Sequence, residues 1–288
     1  MNPLISVIIP CFNCQNTIHE SVMSMINQTY KNIEIIIIDD NSTDKSYEIS
    51  KELEKLDARI VVIKSNVIDN NRFDKKLNRN INAGWSARNT GINKANGELI
   101  TFQDADDISL LNRIEIQYNL LIKYGATSIV IDWLKLENHY IGKHFNFQKY
   151  LLEYENSMIK PEAIYKLSQK SKGLFPKIFP KLNSKIPFYI KRKRIINKLF
   201  FGTLDAYPGT GNSPLFKKEV VRKVIFRHLN DRIWPSFMGR GADRDFNFQV
   251  AETFKNSYVI LIPAYMWRVD RQNTNLDLEK IEIDKYLY

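Results

Sequence analysis

The sequence predicts an α/β fold in which helices cover both faces of a mostly parallel sheet. Two short segments, Leu4 to Ile9 and Ile33 to Ile38, are almost entirely apolar and rich in Ile, which is typical of strands buried on both faces. A helical pattern separates them, and a second helix and a third strand continue the alternation. This βαβαβ order favours parallel strands joined by right-handed connections.

The first two helices are indicated by apolar residues at helical spacing. Thr17 and Glu20 match the T-x-x-E pattern of a capping box, which predicts that a helix begins there. The apolar positions are Ile18, Val22, Met25 and Ile26 in the first helix and Ile49, Leu53 and Leu56 in the second. The third strand is predicted at Arg59 to Ile63.

The later elements follow an Asn-rich loop and divide the chain into three regions. The later helices are predicted at Trp85 to Asn96, where Gly97 stops the helix, and around Phe246. The later strands are predicted at Glu98 to Phe102, Thr127 to Ile131, Ser213 to Lys217 and Tyr258 to Ile262. We expect residues 1–132 to form one α/β half, 133–206 a basic, partly helical insertion without a clear period, and 207–288 the remainder of the same domain.

Composition excludes several classes of protein. With 288 residues, 44% hydrophobic and 26% charged, the chain can bury a substantial core and is not disordered. No apolar run approaches the roughly 20 residues of a transmembrane helix. The segment MNPLISVII lacks the basic region of an export signal, so we interpret it as a strand and expect a cytoplasmic location. Two cysteines are too few for a disulfide framework.

The net charge of +10 lies in one segment. Residues 140–205 contain 14 Lys or Arg and four Asp or Glu, so the rest of the chain is neutral overall. Within this segment, Pro176 to Phe201 interleaves cations with Ile, Leu and Phe, the composition of a surface that lies on anionic lipid. A solvated basic helix over an apolar core explains the pattern equally well. Peripheral association with the inner face of a membrane is therefore one of two open hypotheses.

Polar side chains follow three strands of the predicted sheet. They are Phe12 and Asn13 after the first strand, Asp39 and Asp40 after the second, and Asp104, Asp106 and Asp107 after the fourth. Parallel strands bring these positions to one edge, where open α/β sheets bind ligands. Five carboxylates in one crevice repel one another unless a divalent cation neutralises them. Singly, each Asp is explained as a turn former or a helix cap.

Arginines could supply the positive charge that a phosphate ligand needs. The chain has neither the G-x-x-x-x-G-K-[ST] nor the G-x-G-x-x-G pattern, so no glycine-rich loop is available to hold a phosphate. A diphosphate would then be bound by metal and by arginine, for which Arg88, Arg268 and Arg271 are the candidates. Each of them is equally well explained as a surface arginine.

Three motifs together carry a family resemblance. The segments SVIIPCFN (6–13), IIIIDDNSTD (35–44) and NAGWSARNTGINKANGELITFQDADD (82–107) resemble the nucleotide-sugar half of a family 2 glycosyltransferase with the GT-A, Rossmann-like fold. The resemblance covers about the first 110 residues, with the motifs in order. It implies an enzyme that transfers sugar from a nucleotide-diphospho-sugar, with a UDP-sugar expected, to a glycan or lipid-linked hydroxyl with inversion, in cell-surface polysaccharide or glycoconjugate synthesis.

The resemblance also implies roles for individual residues of the first half. One of Asp39 and Asp40 would read the nucleobase, and Arg88 would lie near the nucleotide. Asp104 would reach the ribose, and Asp106 would bind Mn²⁺ or Mg²⁺ at the diphosphate. The nucleobase site would also include the turn formed by Pro10, Phe12 and Asn13.

The second half departs from the family pattern in two places. In GRGADRDFNF (239–248), Ala242 stands where the family often has Glu, so Asp243 inherits the role of catalytic base and Asp245 is the alternative. Two residues apart on a helix, the two carboxylates point to different faces. Both aspartates could instead serve only to stabilise the helix, because a negative side chain is favourable near the positive N-terminal end of a helix. In YMWRVD (265–270), Asp270 replaces a His that often completes the metal site, and a carboxylate can also bind the metal.

Three alternatives from other classes remain open. The C-x-x-C pair Cys11 and Cys14 also fits a thioredoxin-like redox motif, which leaves the aspartates unexplained. A nucleic-acid-binding module explains the charge of +10 but not an acidic crevice, so we expect no nucleic-acid partner. A nucleotidyltransferase would share the metal and nucleotide sites yet release pyrophosphate.

Overall fold

A mixed β-sheet forms the centre of the protein in the computed structural model, which describes residues 2–69, 72–75, 78–154, 157–203, 205–236, 241–268 and 283–288. The strands are β1 Ile5–Cys11, β2 Ile33–Asp39, β3 Ile60–Lys64, β4 Phe73–Asp74, β5 Arg79–Asn80, β6 Leu99–Phe102, β7 Ile108–Ser109, β8 Ser128–Lys135, β9 Met158–Ile159, β10 Leu215–Lys217 and β11 Ser257–Trp267.

Helices precede or follow most of these strands. They are α1 Ile18–Ile26, α2 Ser46–Leu56, α3 Trp85–Lys94, α4 Arg113–Lys123, α5 Phe147–Glu153, α6 Pro161–Ser171, α7 Leu174–Ile178, α8 Pro180–Asn183, α9 Phe188–Lys191, α10 Asn197–Phe201 and α11 Ala242–Phe254. Short 3₁₀ turns lie at Asn138–Tyr140, Lys218–Arg222, Leu229–Asp231 and Ile283–Tyr286.

The strand order in the main sheet is β3-β2-β1-β6-β10-β8-β11-β7, and β9 pairs with β11. The pairs β3–β2, β2–β1, β1–β6 and β8–β11 are parallel, whereas β10 runs antiparallel to both of its neighbours. The prediction of a mostly parallel α/β sheet is confirmed. Since β1, β2 and β6 are parallel and adjacent, the loops after them meet at one edge of the sheet.

Successive residues of each central strand enter different cores. Ile5, Val7 and Ile9 of β1 pack in the cluster that contains α1 and α4, whereas Ile8 packs with α3 and α11 on the other face. This alternation is the two-residue period of a pleated strand. Because both faces are covered, the strands read as continuous apolar segments rather than as alternating ones.

Two local predictions are wrong. Thr17 precedes α1, but its hydroxyl donates to the Cys14 carbonyl at 3.3 Å and makes no capping bond, so the capping box is absent. Gly97 does not end a helix, since α3 finishes at Lys94. A β-carbon at Gly97 would lie 2.7 Å from the Leu4 carbonyl oxygen and the Ser6 nitrogen, so glycine is needed there for the close approach of β1.

No helix in the ranges that the structure describes is both long and apolar enough to cross a membrane.

Candidate active site

A cleft of about 600 Å³ lies at the edge of the sheet where β1, β2 and β6 end. Most of the residues predicted from strand ends meet there, and the two exceptions, Asn13 and Asp39, are described below. The predicted residues that line the cleft are Pro10, Phe12, Asp40, Arg88, Asp104, Asp106, Asp107 and Asp243. Residues from both halves of the chain thus contribute to a single hollow.

Three carboxylates form the acidic centre of the cleft. One oxygen of each of Asp104, Asp106 and Asp107 lies within 4.8 Å of the other two. Asp107 is buried, and its carboxylate accepts hydrogen bonds from the Tyr265 hydroxyl at 2.7 Å and the Arg268 amide at 2.7 Å. Burial, and then the charges of Asp106 and Asp104, raise the pKa of Asp107 to about 8. Hard oxygen donors this close together suit Mg²⁺ or Mn²⁺.

Asp104 is held in place by a network that joins three parts of the chain. Arg88 of α3 donates to Asp104 Oδ1 at 2.6 Å and to the Ala83 carbonyl at 2.5 Å. On the other side, the Asn212 amide donates to Asp104 Oδ2 at 2.6 Å and to the Tyr265 hydroxyl at 3.0 Å. Both carboxylate oxygens are therefore oriented by protein donors, and Arg88 acts on the site through Asp104.

The two aspartates at the end of β2 have different positions. Asp40 lines the cleft, forms an ion pair with Arg72 at 2.8 Å, and has a raised pKa because it is buried. Asp39 is fully buried behind it and does not line the cleft, and its Oδ1 accepts from the Ser42 amide. The expectation that all five strand-end carboxylates share the crevice is wrong for Asp39, because the last residue of a strand and the next point to opposite faces.

The turn after β1 contributes an aromatic ring to the cleft. The Arg72 guanidinium lies 4.1 Å from the centroid of the Phe12 ring, and both residues line the cleft. Asn13 does not line it. Its side chain instead accepts from the Thr43 amide at 2.8 Å, in a left-handed backbone conformation with φ of 54°, and so ties this turn to the loop after β2.

Asp243 and Asp245 in the first turn of α11 point in different directions. Asp243 is half-buried and lines the cleft. A β-carbon at Gly211 would lie 3.2 Å from Asp243 Oδ2, so the loop that carries Asn212 passes directly against this carboxylate. Asp245 is fully buried and accepts hydrogen bonds from the amides of Ile233 and Trp234 at 2.7 and 3.1 Å.

The contacts of Asp245 predict a role in stability. We expect Asp245→Ala to lower the free energy of unfolding by about 3 kcal/mol, because it leaves two backbone N–H groups unpaired and also removes the bond from the Gln249 amide at 2.8 Å. Urea unfolding of Asp245→Ala beside Asp243→Asn tests this. If both variants lost the same free energy of unfolding, the structural role assigned to Asp245 would be contradicted.

The predicted C-terminal site residues fall partly outside the described residues. Arg268 lies beside the acidic cluster, where its Nε donates to the Asp106 carbonyl at 2.9 Å. Its guanidinium pairs with Glu20, and Arg268 is not among the cleft-lining residues. The proposed metal ligand Asp270 and the proposed diphosphate ligand Arg271 lie outside the described residues.

Several cleft residues were not anticipated from the sequence. The strongest are Arg72, Asn212 and Tyr265, which contact the aspartates directly, and Trp133 and Trp267, whose rings lie 4.9 Å apart at the cleft. Trp133 lies within β8, and its position near a strand end could have identified it. Arg72 and Asn212 lie in irregular segments, where no pattern indicates which side chain turns inward.

Comparison with known proteins identifies the family. The profile of Glycosyl transferase family 2 matches residues 6–202, which is more than half of the chain. The chain is a family 2 glycosyltransferase. The resemblance of the three motifs is thus confirmed. In this glycosyltransferase Cys11 and Cys14 are free thiols that line the cleft, so the redox interpretation of the C-x-x-C spacing is not needed.

Two curated relatives illustrate the match. Glycosyltransferase GlyG of Streptococcus pneumoniae is 30% identical over 238 residues, which cover 81% of this chain and 70% of that protein. The Escherichia coli protein WfaP, named as a UDP-Glc:alpha-D-GlcNAc-diphosphoundecaprenol beta-1,3-glucosyltransferase, is 37% identical over 142 residues, covering 49% of this chain and 48% of that protein. The chain spans about half the length or less of several curated relatives that it matches.

Solved structures share the fold at low sequence identity. TarS of S. aureus aligns with 98% of this chain and 41% of its own at a TM-score of 0.54 and 14% identity. The mannosyltransferase PcManGT from Pyrobaculum calidifontis, in complex with GDP-Man and Mn²⁺, aligns with 95% of this chain and 59% of its own at a TM-score of 0.52 and 15% identity. The predicted GT-A fold is confirmed.

Proposed function

We propose that the enzyme transfers a sugar from a nucleotide-diphospho-sugar to an acceptor hydroxyl with inversion, and that a divalent cation is required. One observation carries this proposal: the acidic cluster Asp104, Asp106 and Asp107 and the carboxylate of Asp243 line the same cleft. The cluster is suited to a cation at a diphosphate. Asp243, which belongs to the other half of the chain, is suited to proton removal from an acceptor.

The residues of the chain divide the chemistry between them. Asp243 takes the proton of the acceptor hydroxyl as its oxygen forms a bond to the anomeric carbon. The bond from that carbon to the diphosphate oxygen breaks in the same displacement, which inverts the anomeric centre. Asp106, with Asp104 and Asp107 beside it, would hold Mn²⁺ or Mg²⁺, which supplies positive charge to the departing diphosphate. Arg88 and Asn212 keep Asp104 oriented throughout.

The nucleotide is placed by the first half of the cleft. Phe12 offers an aromatic face, and Asp40 offers acceptor oxygens for the N–H groups of a base. Asp40 lines the cleft and Asp39 does not, so we assign the base-reading role to Asp40. Uracil is the proposed base. The name of WfaP specifies a UDP-sugar donor, and TarS has been solved with UDP-GlcNAc.

The acceptor is proposed to be a glycan or a lipid-linked saccharide, as in the synthesis of cell-surface polysaccharide or glycoconjugates. The names of two matched E. coli proteins, WfaP and WfgD, specify a diphosphoundecaprenol-linked acceptor. Trp133 and Trp267 provide aromatic surface within the cleft, and aromatic faces pack well against the C–H groups of a sugar ring.

A thermal-shift panel of nucleotides tests the donor. A ligand that binds only the native state raises the apparent melting temperature. We expect UDP to raise it in the presence of Mn²⁺ and much less in its absence, and ATP to have no such effect. A metal-dependent shift with ATP or GDP but not UDP would contradict the assignment of uracil. Release of UDP rather than pyrophosphate from the donor then separates sugar transfer from nucleotidyl transfer.

A further inference from the structure

Seven large apolar side chains are exposed within 26 consecutive residues of the basic insertion, although Phe188, Phe200 and Phe201 in the same stretch or next to it are buried. They are Leu174, Ile178, Phe179, Leu182, Tyr189, Ile195 and Leu199, out of 18 exposed in the described parts of the chain. Ile195 is 95% exposed. Single exposed apolar residues are normal on protein surfaces, whereas exposed apolar side chains that lie together favour an interaction site.

Exposed cations lie between these apolar side chains. They are Lys177, Lys181, Lys185, Lys193, Arg194 and Lys198. No Asp or Glu occurs from residue 163 to residue 204. Among the described residues, none of these six cations forms an ion pair. We refer to the seven apolar and six basic residues together as the basic-apolar surface.

The segment has its own interior, so the exposed apolar residues do not result from an absence of packing. Phe188, Phe200 and Phe201 are buried together. Lys191 is also buried, and its Nζ donates to Asn183 Oδ1 at 3.0 Å and to the Asn230 carbonyl at 2.7 Å. A basic helix over an apolar core accounts for these buried residues but not for the exposed ones, which remain to be covered by a partner.

The basic-apolar surface lies close to the active-site cleft. A second hollow, of about 230 Å³, is lined by Phe188 and Tyr189 of this segment, by Trp85 at the start of α3, and by Asn82 in the loop before it. Ala83, between those two residues, lines the main cleft. Arg192 also pairs with Asp74 of β4 at 2.5 Å. A partner on this surface would therefore be next to the site of transfer.

We propose that the basic-apolar surface docks on an anionic phospholipid bilayer. Cations without partners match the negative charge of the bilayer, and the exposed Ile, Leu and Phe side chains can enter the boundary between headgroups and acyl chains. A nucleic acid would use the positive charge but would leave the apolar side chains in water. Docking itself is independent of the proposed function. Only its consequence, the supply of a lipid-linked acceptor to the cleft, rests on that function.

Co-sedimentation of the full chain with vesicles tests docking. We expect binding to vesicles of phosphatidylcholine mixed with phosphatidylglycerol and much weaker binding to phosphatidylcholine alone. Binding should weaken when NaCl is raised to about 0.5 M, because salt screens the surface charges. Reversal of two charges in Lys193→Glu/Arg194→Glu should weaken it at least tenfold, since each cation near such a surface contributes roughly fivefold. Ile195→Ser should weaken it at least tenfold.

Matched controls come from exposed residues outside the basic insertion. Lys31→Glu/Lys55→Glu reverses two exposed charges, and Leu56→Ser removes an apolar side chain that is 73% exposed. Both controls should bind vesicles as the unaltered protein does. Lys191 and Arg192 are left unchanged because their side chains hold the segment together.

Three outcomes would overturn docking: no binding to the anionic vesicles, equal losses in test and control variants, or displacement from vesicles by double-stranded DNA that binds more tightly. The UDP thermal shift, measured on the same variants, separates docking from the proposed function. A variant that keeps the UDP shift and loses vesicle binding supports docking. Vesicle binding without any UDP shift in the unaltered protein would contradict the proposed donor and leave docking intact.

Discussion

Asp243→Asn is expected to lower kcat by about 10²–10⁴-fold while leaving donor binding intact. Asparagine is nearly the same size as aspartate but cannot accept the proton of the acceptor hydroxyl. Asp243 lines the cleft from the first turn of α11, whereas the proposed base and diphosphate contacts lie at the ends of β1, β2 and β6. The substitution should therefore affect the chemical step and not the nucleotide site. Steady-state turnover and the UDP-induced thermal shift, measured on one preparation, separate the two effects.

Asp245→Asn is the matched comparison for this variant. It makes the same chemical change two residues later, on a carboxylate that is fully buried and bonded to the amides of Ile233 and Trp234. We expect its unfolding free energy to fall, because an amide group replaces one acceptor oxygen, and its turnover per folded molecule to change little. If Asp245→Asn were inactive while stably folded and Asp243→Asn kept full turnover, the two roles would have to be exchanged.

Most of the central sheet could be predicted because its physical signals are local. Apolar strands and amphipathic helices alternate through the first 132 residues, and parallel order then brings the loops after β1, β2 and β6 to one edge. The positions of Asp104, Asp106 and Asp107 follow from that rule alone. It does not separate Asp39 from Asp40, because an error of one residue in the strand boundary exchanges the side chain that faces the core with the one that faces the cleft.

The parts that could not be predicted depend on contacts between distant segments. Asn212 reaches Asp104 across 108 positions of the sequence, from an irregular loop that precedes the antiparallel strand β10. Arg72 contacts Asp40 and Phe12 from the Asn-rich loop. Neither loop has a hydrophobic period that would indicate where its side chains point. The basic insertion presents the same difficulty, because Lys191 is buried and Ile195 is exposed, contrary to their polarities.

Asp106→Ala is expected to abolish the metal dependence of nucleotide binding and to lower turnover by about 10²–10³-fold. Asp106 is the exposed member of the acidic cluster, whereas Asp104 is half-buried and Asp107 is buried. A cation that enters the cleft should therefore depend most on Asp106. The measurement is the UDP thermal shift as Mn²⁺ is titrated, together with turnover at each Mn²⁺ concentration.

Two further variants make this result specific. Glu52→Ala removes an exposed carboxylate outside the cluster and should leave the Mn²⁺ response unchanged. Asp107→Asn keeps the shape of a buried side chain whose raised pKa, about 8, shows that a negative charge there is already unfavourable without a cation. We expect Asp107→Asn to weaken the Mn²⁺ response less than Asp106→Ala does. If Asp106→Ala kept the full Mn²⁺ response and Asp107→Asn lost it, the principal metal ligand would be the buried carboxylate of Asp107. The proposed role of Asp106 as the main metal ligand would then be wrong.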